Sequence, residues 1–70
     1  MELTVQDLID ELQSLENPDA VIRFASQPRW PFEYSVDTTI VQSEDGEKVF
    51  LAENRQIGYL PGEIKEELMW

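Results

Sequence analysis

At 70 residues and 8.2 kDa the chain has room for one small domain, and a fold of this size hides only about 60% of the surface its unfolded form exposes. Hydrophobic residues make up 41% and charged residues 29%, a balance that supports a core and a solvated exterior and argues against disorder throughout. Fifteen acids against five bases leave a net charge of -10, split evenly as seven against two in residues 1–35 and eight against three in 36–70; such a polyanion repels phosphate backbones and anionic lipid, so nucleic-acid and membrane partners are not expected.

Thr4 with Asp7 three positions on forms a capping pair, Leu3 and Leu8 stand where a hydrophobic staple closes, and Val5, Leu8, Ile9, Leu12 and Leu15 recur at helical spacing. The pattern predicts an amphipathic helix that Asn17-Pro18 stops. Residues 20–26 alternate and predict a first strand. Gln27-Pro28-Arg29-Trp30-Pro31-Phe32-Glu33-Tyr34 carries two prolines and three large aromatics, which suits an extended loop better than a ladder strand. Residues 36–43 and 47–53 flank Glu44-Asp45-Gly46 and predict a hairpin, because the Asp-Gly pair accepts positive φ. A second reversal near Asn54-Arg55 leads to a short fourth strand at 56–60, which Pro61-Gly62 ends. Residues 63–69 then predict two helical turns with Ile64 and Leu68 on one face and Trp70 as an anchor. The order implies a single α+β domain, its N-terminal helix packed on a three- or four-stranded, mainly antiparallel sheet, with a short C-terminal helix.

The missing residue types are as informative. With no cysteine and no histidine there is no disulfide, no thiolate or histidine-based nucleophile system and no Cys- or His-ligated metal centre. Gly46, Gly58 and Gly62 do not fall at a phosphate-binding spacing, and Glu44-Asp45-Gly46-Glu47 lacks the ligand ladder of a calcium loop. Paired carboxylates need a closed cleft to separate their pKa values, and a core this thin has little space for a pocket of about 300 Å³. No catalytic residue, metal ligand or cofactor is therefore assigned, and the chain is expected not to be an enzyme. No apolar run approaches the roughly 20 residues of a membrane span, and the N-terminus lacks a secretory pattern, so the expected location is the cytoplasm.

Ile40-Val41 and Val49-Phe50-Leu51 place apolar groups on successive strand positions, hence on both faces of the sheet. One helix covers one face. The other needs the short C-terminal helix, the aromatic segment or a second molecule. Arg29, Trp30, Phe32 and Tyr34 are of the types enriched at interface hot spots, and they form the candidate partner-binding site, with core packing as the competing role. The expected function is that of a small acidic protein-interaction module, its partner another protein or a second copy of itself. The alternative is a DNA-mimicking inhibitor of a basic nucleic-acid-binding protein, to which Asp7, Asp10 and Glu11 on the outer side of the first helix would contribute.

The opening Thr4-Val5, Leu8-Ile9, Leu12, Leu15, followed by Asn17-Pro18-Asp19-Ala20-Val21, resembles that of many small bacterial and phage-encoded proteins of uncharacterised function, which share a TVxxLIxxLxxL helix leading through a Pro-Asp-Ala turn into a strand. The resemblance covers the first third of the chain. It implies a small α+β domain and carries over no functional residues.

Overall fold

A computed structural model describes residues 2–27 and 29–70. Thr4 Oγ1 accepts the Asp7 amide at 3.0 Å and Asp7 Oδ2 accepts the Thr4 amide at 3.1 Å, closing a capping box ahead of helix α1, Val5–Gln13. The helix ends sooner than Asn17-Pro18 implies. Ser14 Oγ donates to the Glu11 carbonyl at 2.6 Å and takes up an acceptor of the last turn, so Leu15 falls outside the helix. Asn17 then turns the chain by accepting the Asp19 amide on its side chain at 3.0 Å.

Three strands follow, β1 (Arg23–Ala25), β2 (Phe32–Gln42) and β3 (Val49–Tyr59), in an antiparallel sheet of order β1-β2-β3. Helix α2, Gly62–Glu67, completes an α+β chain. It ends with Met69 at φ 63, where the Met69 amide bonds the Glu66 carbonyl at 3.0 Å and the Trp70 amide bonds the Lys65 carbonyl at 2.9 Å, the pattern of a left-handed helix cap.

Two further expectations are corrected. The aromatic segment is not loop throughout: Phe32, Glu33 and Tyr34 open β2, and Tyr34 lies opposite Phe24 of β1 and Gln56 of β3. Pro31 permits this because it stands just before the strand, where its missing N–H costs no ladder bond, while its carbonyl accepts the Leu60 amide at 2.7 Å. Pro28 of the same segment lies outside the described residues.

The described residues also form no fourth strand. The predicted reversal at Asn54-Arg55 is a register shift inside β3: Val36 pairs with Glu53 and Tyr34 with Gln56, so β3 carries an extra residue there. Ser35 Oγ accepts the Arg55 amide at 3.1 Å across the irregularity. A second shift lies between the Glu33↔Gly58 and Tyr34↔Gln56 pairs, with Gly58 at φ 155, a conformation that residues with a Cβ avoid. The hairpin at Glu44-Asp45-Gly46 forms as expected, closed by the Ser43 amide on the Lys48 carbonyl at 2.9 Å.

Little of this surface is covered. Leu60, at 6% exposure, is the one buried side chain among the described residues. Close packing between elements runs strand against strand, β2 with β3 and β1 with β2, and α1 has no buried residue, although Val5, Ile9 and Leu12 lie along it. Ile40, Val41, Phe50 and Leu51 are exposed on both faces of the sheet. The accessible surface is 6462 Å², whereas a compact monomer of this mass exposes roughly 4,500 Å². The radius of gyration is 13.6 Å, against about 11 Å for a compact domain of this length. The chain is thus both more exposed and more extended than a compact domain of its length.

Candidate functional site at the aromatic end of the sheet

The start of β2 is pinned by backbone bonds from two directions. The Ser26 amide donates to the Phe32 carbonyl at 2.9 Å, and the Phe32 amide donates back to the Trp30 carbonyl at 2.8 Å, which tightens the turn that leads into the strand. The Pro31 carbonyl holds Leu60 from the other side. Phe32 and Tyr59 are cross-strand partners, with ring centroids 4.9 Å apart and planes tilted by 32°. Phe32 and Tyr34, two residues apart on a strand, share a face, and Phe24 lies opposite Tyr34 on β1. The Tyr34 hydroxyl stands 3.4 Å from Gln56 Oε1, too long to hold the ring firmly. Glu33, of the alternate face, accepts from Arg23 Nε at 3.0 Å, the sole ion pair among the described residues.

Of the four residues singled out from sequence, Phe32 and Tyr34 are half-buried side by side in the sheet. Arg29 and Trp30 stand in the preceding turn, and Trp30 is 56% exposed. The segment is thus divided between ladder and solvent. Phe24 and Tyr59 join the same aromatic row, and sequence reasoning missed both because only the strand register brings them to Phe32 and Tyr34. The Gly58-Tyr59-Leu60-Pro61 run held a partial signal: a glycine inside a β-rich stretch marks a bulge, and a bulge resets which residues stand opposite one another, here bringing Tyr59 to Phe32.

Next to this row is a shallow depression of ≈ 290 Å³ lined by Phe24, Ala25, Ser26, Tyr34, Leu51 and Glu53. A second, of ≈ 470 Å³, is lined by Glu2, Leu3, Asp7, Asp10 and Glu11. Two of its carboxylates already serve the helix, Asp7 in the capping box and Asp10 as acceptor for Gln6 Nε2 at 2.9 Å. Among the described residues, no three His, Cys, Asp or Glu side chains are arranged to hold a metal ion. Asp45, at the hairpin tip, is held below the usual carboxylate value by the Ser43 hydroxyl and then by the Glu47 amide.

These features define a small acidic α+β chain with an open sheet and an aromatic end, in which no described helix is long and apolar enough to cross a membrane. Comparison with family models, curated proteins and solved structures finds no match for it.

Proposed function

We propose that this chain is a non-enzymatic interaction module of the cytoplasm that binds another protein through Arg29, Trp30, Phe32 and Tyr34. The observation that supports the reading is Trp30, a large aromatic left 56% exposed on a turn; its carbonyl accepts the Phe32 amide, just ahead of the strand start that Ser26 and Leu60 hold. An exposed indole with an arginine next to it in sequence brings a large apolar area and a planar cation to a contact. In this reading the partner takes the aromatic end.

The test is capture of proteins from a cell extract on the immobilised chain and on its Trp30→Ala variant, at low and high salt, with thermal unfolding of both. The expected result is a set of captured species that persists at high salt and is lost on substitution, at an unchanged melting temperature. Capture that survives the substitution and disappears with salt favours the DNA-mimicking alternative, which works through carboxylates. A collapsed melting temperature with capture intact assigns Trp30 to structure and overturns the reading.

A further inference from the structure

We propose that the chain pairs with a second copy of itself along the free edge of β3, antiparallel about a two-fold axis at Leu51, so that two three-stranded sheets become one of six. This inference does not rest on the aromatic end; it uses the half of β3 nearest the hairpin.

The two edges of the sheet differ. The β1 edge is three residues long, and short edges resist the addition of another strand. The β3 edge is eleven residues long and, in the order β1-β2-β3, has no strand on its outer side. Its first half, Val49-Phe50-Leu51-Ala52, contains no charge and no proline and is exposed throughout. Val49 to Leu51 pair with β2 in unbroken register, Gln42↔Val49, Val41↔Phe50 and Ile40↔Leu51. A register shift follows between Leu51 and Glu53, and its extra residues lie on β2, four positions from Val36 to Ile40 against two from Leu51 to Glu53, so that β3 itself takes no extra residue there. An exposed apolar edge without charge, proline or an inserted residue is a template for another strand.

The run is also self-complementary. About an axis at Leu51, Leu51 faces its own equivalent and Phe50 of one copy faces Ala52 of the other, a large side chain beside a small one, while Val49 faces Glu53, whose exposed carboxylate marks the limit of the apolar seam. Because Ile40 lies opposite Leu51 within each copy, a continuous apolar row of Ile40, Leu51, Leu51 and Ile40 crosses four strands.

The quantity of surface points to the same occupant. The chain exposes roughly 1,900 Å² more than a compact monomer of its mass, and obligate homodimers bury about 2,000–5,000 Å² in total, or half of that per copy. A basic protein finds no carboxylate to pair with along Val49-Phe50-Leu51-Ala52, whereas an identical apolar strand finds its match. Each copy carries a net charge of -10, so the pair repels at long range, and added salt tightens it, the reverse of a charge-driven complex.

The absence of cysteine makes the seam directly testable. In Leu51→Cys the single thiol falls on the axis, where facing residues of antiparallel strands lie about 4.5–5.5 Å apart between Cα atoms, within disulfide reach. Under mild oxidation this variant is expected to run as a covalent dimer on a non-reducing gel. Ile57→Cys, further along the same strand and 49% exposed, is expected to remain uncross-linked. The unsubstituted chain in sedimentation equilibrium is expected at twice 8.2 kDa, with a dimer fraction that grows with salt and is unchanged by Trp30→Ala. A mass of one chain at every concentration overturns the proposal without touching the aromatic reading. So does equal cross-linking of the two cysteine variants, or a dimer in which Leu51→Cys fails to cross-link. A dimer abolished by Trp30→Ala moves the contact to the aromatic end and likewise overturns the seam.

Discussion

The two ends of the β2–β3 hairpin hold the same pair of strands together by different means. At the tip, the Ser43 hydroxyl accepts the Lys48 amide at 3.0 Å and donates to Asp45 Oδ1 at 2.7 Å, and that oxygen also accepts the Glu47 amide at 2.9 Å. Gly46 supplies the positive φ, 76°, and its amide bonds the Ser43 carbonyl at 3.0 Å. Every partner lies within six positions of the others, and all of them are polar and wet. At the far end, Phe32 meets Tyr59 and Pro31 meets Leu60, pairs widely separated along the chain, joined by ring contact and the one buried leucine among the described residues. The tip closes a short loop at small entropic cost, whereas the aromatic end must repay the closure of a long one and does so by apolar burial.

If stability resides at the aromatic end, Leu60→Ala is the most damaging single change. It is expected to cost about 2–4 kcal/mol, as large-to-small substitutions of buried leucine do, read as a fall in the urea midpoint at constant slope. A loss below about 1 kcal/mol, within the range of an ordinary surface change, removes the distinction between the two ends.

Gly58→Ala sharpens the same comparison with a smaller effect. Apart from its chain neighbours, no atom of the described residues lies within 4 Å of an added Cβ, so the penalty comes from the backbone, where φ 155 is strained for any residue but glycine. The expected cost is about 1–3 kcal/mol in chemical denaturation, accompanied by loss of protection at the neighbouring amides in hydrogen exchange. A neutral result means that the strand relaxes its register shift and that the Phe32–Tyr59 contact does not constrain it.

The weakest effect belongs to the tip and depends on pH. Asp45 is held below the usual carboxylate value, chiefly by Ser43 and then by the Glu47 amide, so the folded turn favours the ionised form. Its contribution is complete above the ordinary carboxylate pKa and is lost as pH falls through the lowered one. An NMR titration is expected to show the Glu47 amide resonance moving in that acidic window, with Phe32 and Tyr59 unaffected. Simultaneous movement at both ends shows that the hairpin titrates as one unit.

Legibility in the sequence follows the same division. Thr4 and Asp7 announce the start of α1, and Asp45-Gly46 announces the hairpin, because each motif satisfies its own backbone groups within a few residues. The Leu15 position is misread because a neighbouring hydroxyl competes for a helix carbonyl, and the length of β2 and the unity of β3 because bonds from distant parts of the chain decide them. Ser14 takes the Glu11 carbonyl, Pro31 finds Leu60, and Ser35 bridges Arg55 across a shift that reads locally as a reversal. At the candidate site Trp30, Phe32 and Tyr34 were conspicuous by type, but Phe24 and Tyr59 belong with them only through register.

By itself, then, the sequence determined the class of chain, α+β with a capped first helix and a polar hairpin tip, and the chemistry that a chain without cysteine or histidine lacks. Local hydrogen bonding and residue inventory suffice for such properties, because neither depends on what lies across the molecule. Tertiary structure alone decided that the aromatic segment splits between a strand and an exposed turn, that three strands stand where four were expected, and that β3 ends as an open edge. Those outcomes depend on which distant backbone groups find each other, and a residue's neighbours in sequence carry no record of that choice.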